Sequence, residues 1–160
     1  LAALRGGTAL SDEIARRFEL GPIDQVAYVV EDLETSLPRY EALYGPFRVA
    51  ESPLTECEYR GRQVDCHLRL ATNQEGPLEI ELIEVVEGDA PHREHLDTHG
   101  EGLHHVRFRV DDLDAKLEVL ADAGFTTIFR KRFGPTVAFA YVEAPADAGR
   151  SVIELLQLPA

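Results

Sequence analysis

The sequence is short of positive charge. Sixteen Lys and Arg stand against 29 Asp and Glu, a formal net charge of −13. That deficit excludes a nucleic-acid partner, because a phosphate backbone demands a basic face, and it disfavours an anionic membrane surface. Two local basic clusters exist: Arg60, Arg62 and Arg69, and Arg130, Lys131 and Arg132. Both are expected to be solvated strand or loop faces. Cysteine is scarce too. Cys57 and Cys66 show no C-x-x-C spacing. They are too few for a disulfide framework, and reduced thiols in a cytoplasmic protein are expected. No apolar run reaches the roughly 18 residues of a membrane helix, so no membrane partner is expected.

What is present is an ordinary globular balance. The 160 residues are 44% hydrophobic and 28% charged, enough for one compact core without staples. Within it lies an internal repeat. IDQVAYVVEDLE (23–34) aligns with LHHVRFRVDDLD (103–114) at a constant offset of 80 residues. Val26 meets Val106, Val30 meets Val110, Asp32 meets Asp112 and Leu33 meets Leu113. Each segment reads as a β-branched strand followed by an acidic helix start. The helices are expected over 32–43 and 112–123. They end near Gly45 and Gly124, and Pro38 implies a kink or a later start in the first. IELIE (80–84) resembles IELLQ (153–157) at an offset of 73. Further strands are expected at about 46–51, 62–71, 125–130 and 136–143.

Each half therefore reads β-α-β-β-β. The predicted fold class is α+β, with two tandem βαβββ modules forming a curled sheet around a shared cleft. The expected divisions are an N-terminal extension (1–21) with a short helix at 11–20, a first module (22–86), a turn-rich linker (87–102) and a second module (103–160).

Repeat equivalence singles out four residues. Gln25 and His105 share a place on the first strand of each module; Glu81 and Glu154 share one on the last. All are oxygen or imidazole donors suited to a divalent cation. A charged group within an apolar strand is costly unless it meets water or a cation, and Glu154 sits within SVIELLQL. A solvated glutamate or a structural histidine would explain one position, not matching donors in both halves. His92, His95 and His99 lie in the linker and are expected to be solvated. His104 points opposite to His105 by strand alternation and reads as structural. Asp65 and His67 share a strand face and are placed against the same cleft.

At these residues the chain resembles the vicinal oxygen chelate superfamily, the fold group of glyoxalase I and methylmalonyl-CoA epimerase. The resemblance is carried by PIDQVAYVVEDLETSLPRY, by EIELIEVVEGDAPHREHLDTHGEGLHHVRFRVDDLDAKLEVLADAGF and by SVIELLQLP, and it covers about residues 22–158. GLHHVRFRVDDLD looks most like the epimerases. In those enzymes the position of Gln25 is usually a metal-binding histidine and that of Glu81 a glutamine, whereas His105 and Glu154 fit the pattern. The set Gln25, Glu81, His105 and Glu154 instead resembles the zinc ligands of one class of glyoxalase I. The missing first histidine counts against an extradiol dioxygenase.

The resemblance implies one divalent metal ion (Zn, Co, Ni, Mn or Fe), a homodimer, and a small carbonyl substrate such as an acyl-CoA. It implies an isomerase or epimerase that moves a proton alpha to a carbonyl through a metal-stabilised enolate. Glu154 would be both ligand and base, and Asp65, near where the epimerases carry a catalytic glutamate, the opposing acid/base. The alternatives are a glyoxalase I-like lyase and a non-catalytic sequestration protein of the bleomycin-resistance type.

Overall fold

A computed structural model describes residues 18–74 and 76–159. Most of the helix expected over 11–20 lies outside the described residues. In chain order the elements are β1 (Ile23–Val30), α1 (Leu33–Tyr44), β2 (Arg48–Tyr59), β3 (Arg62–Gln74), β4 (Glu79–Gly88), α2 (Pro91–His99), β5 (Gly102–Val110), α3 (Leu113–Asp122), β6 (Thr126–Arg132), β7 (Ala138–Glu143) and β8 (Val152–Gln157). Each half is βαβββ, as the repeat predicts.

The eight strands close into a barrel in the order β1-β4-β3-β2-β6-β7-β8-β5. β1 pairs parallel with β4, and β5 parallel with β8. The modules join at two seams. β1 and β5 run antiparallel with Val26 opposite Val106. β2 and β6 meet over two residue pairs, Glu58–Arg130 and Tyr59–Phe129. The shared cleft of the sequence reading is thus the interior of a closed barrel, and the two modules pair within one chain.

The repeat extends to the helix starts. Asp32 Oδ1 accepts from Thr35 N–H at 2.7 Å, and Asp112 Oδ1 from Ala115 N–H at 3.0 Å. These caps satisfy otherwise orphaned first-turn donors. The next donors are met from the last strand of each module: Leu33 N–H donates to Glu84 and Leu113 N–H to Gln157. The cap holds α1 to its start at Leu33 despite Pro38, so the helix does not begin later. β2 runs eight residues past the expected Glu51, to Tyr59, because a bulge between Leu54 and Cys57 re-registers it against β3.

Three apolar layers follow. The barrel interior holds Ala27, Val29, Leu68, Ile83, Val85, Phe129 and Tyr141. α1 packs outside on Val30, Ala71 and Leu82. α3 packs outside on Ala140, Val142 and Leu155. The turn-rich linker, whose HREHL allows a helical turn, carries α2, and its Leu96 joins the interior core. Burying such a leucine contributes about 1.5–3 kcal/mol. Both basic clusters are held in ion pairs, Arg60 with Glu94, Arg69 with Glu84 and Arg130 with Glu58 among them. Cys57 and Cys66 are buried free thiols.

Gly88 ends β4 at φ +86°, where a Cβ would collide with the Asp65 carbonyl oxygen and lie 2.8 Å from Cys66 Cα. Substitution Gly88→Ala combines that clash with a strained backbone. It is expected to cost more than about 2 kcal/mol and to lower Tm by about 5 °C or more. An unchanged melting curve would show that β3 and β4 do not approach this closely.

Candidate metal centre

Strand register sets the predicted donors in two ranks. One rank runs across the sheet as Glu79, Gln25, Arg107, Glu154; the next runs Glu81, Ala27, His105, Val152. Alternation puts both ranks on one face. Gln25 and His105 are each 1% exposed, Glu154 7% and Glu81 8%. The repeat equivalence is therefore a spatial one, since Ala27 stands beside Glu81 as Arg107 stands beside Glu154.

Three of the four donors converge directly. His105 Nε2 lies 3.0 Å from Glu154 Oε2 and 3.3 Å from Gln25 Oε1. The amide of Gln25 donates to Glu79 Oε1 at 2.6 Å, which turns its oxygen towards His105. Glu81 joins them electrostatically. Burial, then the charges of Glu154 and Glu79, push its carboxyl up to about 8, against the pull of Arg107. Arg107 bonds Glu79 at 3.2 Å and Asp24 at 2.9 Å. Two buried carboxylates with an imidazole and an amide oxygen make a donor set that fits a divalent cation. Added positive charge would also relieve the repulsion that raises Glu81.

Asp65 is not gathered with these residues. It is an exposed residue on β3 beside buried Cys66, and its Oδ1 accepts from Glu56 N–H at 2.8 Å. Glu56 has φ +53° within the β2 bulge, and Asp65 holds that turn. The expectation of an opposing acid/base at Asp65 is corrected accordingly. His67 pairs with Glu51 at 2.7 Å on the same outer side.

The linker histidines also need correction. His92 is fully buried, His95 half-buried, and only His99 is exposed. α2 starts with Pro91 at its first turn, which suits proline, and its buried stripe is His92 and Leu96, one helical turn apart. That i, i+4 spacing was the available signal. His104 is buried beside His105, not opposite to it. Ala27 pairs with His105 but Tyr28 with Leu103, so His104 is the extra residue of a β-bulge. A bulge breaks alternation, and His104 Nδ1 meets His105 Nδ1 at 2.9 Å.

One ring nitrogen from each of His92, His104 and His105 lies within 4.8 Å of the others, a cluster that could hold a metal ion. Burial holds both His92 and His104 well below the usual histidine range, with repulsion from neighbouring imidazoles adding to it. Tyr141, near His92 and His105, is pushed well above the usual range, first by burial and then by Glu154 and Glu81. A cavity of about 460 Å³, lined in part by Arg60, Glu94, His95, Arg150 and Val152, reaches His104 and His105.

Residues 24–141 match the family described as Glyoxalase/Bleomycin resistance protein/Dioxygenase superfamily. The chain belongs to that superfamily. Among solved structures it resembles methylmalonyl-CoA epimerase from Mycobacterium tuberculosis, at 20% identity over 88% of this chain and 90% of that one, with a TM-score of 0.61. It also resembles a Streptomyces coelicolor methylmalonyl-CoA epimerase variant in complex with 2-nitronate-propionyl-CoA, at 24% identity over 88% and 99%, with a TM-score of 0.58. A hypothetical protein from Bacillus halodurans aligns at 19% identity over 87% and 95%, with a TM-score of 0.61. At these identities the likeness establishes the fold. Comparison with the curated proteins finds no match.

The raised Glu81 carboxyl fixes a pH dependence. Below about pH 4.5 the folded and unfolded states both hold the proton. Between there and about 8 the folded state keeps a proton that the unfolded chain has lost. Stability of metal-free protein therefore falls as pH rises through that window, and the loss is complete above it. In the presence of a chelator, Glu81→Gln is expected to flatten this slope and to stabilise the protein at pH 8 by on the order of 3 kcal/mol. Denaturant melts at pH 5 and pH 8 check it; equal slopes in both proteins would place Glu81 outside the buried charge cluster.

Proposed function

We propose that this chain is a metal-dependent enzyme that moves a proton on carbon next to a carbonyl. Gln25, Glu81, His105 and Glu154 are the ligands of one divalent ion (Zn, Co, Ni, Mn or Fe), and Glu154 is the base. The observation that carries this reading is the convergence at His105 Nε2 of oxygens from Gln25 and Glu154, drawn from both modules and buried together. When bound, the cation supplies a Lewis acid that draws charge off a substrate carbonyl and acidifies the neighbouring C–H.

The chain's own groups handle the proton. Glu154 is buried within the cluster, where a positioned carboxylate serves as general base. It takes the proton from the substrate carbon and returns it to that carbon or to the adjacent one. Before the ion enters, His105 Nε2 lies 3.0 Å from Glu154 Oε2, which holds the carboxylate at the site. Gln25 is oriented in turn by Glu79. The four donors are buried together, and the lower dielectric there strengthens these interactions. An acyl-CoA substrate is supported by the 2-nitronate-propionyl-CoA held by the Streptomyces epimerase.

A second reading, a glyoxalase I-like reaction on a hemithioacetal, is favoured by one observation. Asp65 faces away from the cluster. Inverting a stereocentre requires an acid on the face opposite the base, whereas shifting a proton between adjacent carbons requires one base alone.

The test is proton exchange in deuterated water with Zn-, Co- or Ni-loaded protein, read by NMR at the α-carbon. Methylmalonyl-CoA and the glutathione hemithioacetal of methylglyoxal are the probes. Exchange with inversion identifies an epimerase, and product formation from the hemithioacetal identifies the glyoxalase-like reaction. Glu154→Gln is expected to slow either by about 10²-fold or more. No exchange with either probe under every metal would overturn the catalytic reading in favour of ligand sequestration.

A further inference from the structure

Gln25, Glu81, His105 and Glu154 are each at most 8% exposed. A hydrated cation or a substrate reaches them only where part of the wall around them moves. The cavity beside them touches His105 alone of the four. Its two sides differ in how they are held. One side is the barrel rim, and every strand of the barrel has a hydrogen-bonded neighbour on both edges. The other is α2, which supplies Pro91, Glu94, His95, Thr98 and His99. α1 and α3 pack outside the barrel, whereas α2 sends Leu96 into the interior core. It also covers the histidine end of the centre. The His92 ring lies 4.6 Å from that of His104 and 5.2 Å from that of Tyr141, centroid to centroid.

The polar hold on α2 lies at its edge. Glu94 accepts from Arg60 Nε at 3.2 Å and Nη2 at 3.0 Å, and from the Tyr59 hydroxyl. Arg93 Nη2 donates to the Val85 carbonyl at 2.8 Å. The closed position also carries a penalty. His92 Nδ1 is buried with no hydrogen-bond partner among the described residues, and an unmet buried polar atom is costly. Water satisfies it once the helix lifts. At the two ends of the segment stand Gly88 and Gly100, with φ of +86° and +77°. Glycine turns there without the penalty that a side chain brings, and such end positions serve as hinges.

We propose that α2 is the gate of the buried centre: it lifts as a unit between Gly88 and Gly100 while the strands stay paired, and Glu94 on Arg60 is its latch. What passes the gate rests on the metal-dependent reading above; the opening itself does not. Opening of one unit within a folded protein is a separate step from unfolding. His104 is carried by β5 yet lies under His92 and bonds the Pro91 backbone at the first turn of α2. Lifting α2 therefore bares His104 without parting any pair of strands.

Histidine carbethoxylation of metal-free protein, mapped by mass spectrometry, tests this beside amide hydrogen exchange. In Glu94→Ala the exchange of α2 amides and the modification of His104 should both quicken, by a common factor of about five or more. The amides of β1 and β5 should be unchanged. Arg60→Ala removes the same latch from the barrel side and should act alike, so either variant serves where the other fails to fold. His104 modified at the wild-type rate in the variants, or β5 amides quickened as much as those of α2, would overturn the gate. Where Co²⁺ binds, its removal by a chelator should quicken by the same factor, and an unchanged rate also overturns it. Absence of Co²⁺ binding alongside coupled exchange and modification would sink the metal reading and leave the gate standing.

Discussion

The antiparallel seam between β1 and β5 is the constraint on which the rest depends. It places Ala27 against His105 and Gln25 against Arg107, and so brings the first strands of both modules to one face. A one-residue slip would move each of these side chains to the opposite side of its strand. The slip is resisted from both sides of the sheet. Ala27 and Val29 belong to the interior core, while Val30 is buried under α1 and Val110 under α3. The parallel partners β4 and β8 then deliver Glu81 and Glu154 in matching registers.

That seam collects more negative charge than a barrel interior readily holds. Glu79, Glu81 and Glu154 approach within one face, with Arg107 as the guanidinium set among them. Arg107 bonds Glu79 and Asp24, so its donors are directed to one flank. Desolvation raises the energy of each ionised carboxylate, and Glu81 carries that cost as a raised carboxyl. An apolar isostere in its place would avoid the penalty. A sequence that keeps these groups sacrifices stability of the metal-free fold, a pattern common where side chains serve chemistry rather than packing.

The fold was largely legible because duplication doubles each local signal. VVEDLE and RVDDLD each end a strand and cap a helix, and the caps appear at Asp32 and Asp112. Glu81 and Glu154 were legible for the same reason: a donor repeated at equivalent places cannot be explained by local strand chemistry. What escaped was whatever breaks alternation or lies between repeats. Period-two reasoning put His104 on the outer face, and a bulge turned it inward. Asp65 was placed against the cleft by its face, yet a local backbone need at Glu56 took its carboxylate. His92 sat in a polar segment that read as a solvated linker. Its burial comes from tertiary docking of α2, which propensity does not encode.

The functional polarity of the centre arises where the two modules stop matching. Gln25 has His105 as its equivalent, Ala27 has Arg107, Asp24 has His104 and Glu79 has Val152, by offsets of 80 or 73. The first module keeps acids in this region, and the second supplies a guanidinium and an imidazole pair. Arg107 reaches across the seam to Asp24 and Glu79, so the charged differences neutralise one another on one flank. The other flank receives His104, His105 and, from the unduplicated linker, His92. A symmetric barrel would offer the same surroundings on both sides of its axis. This one sets ionic groups against neutral imidazoles across the single ring of His105.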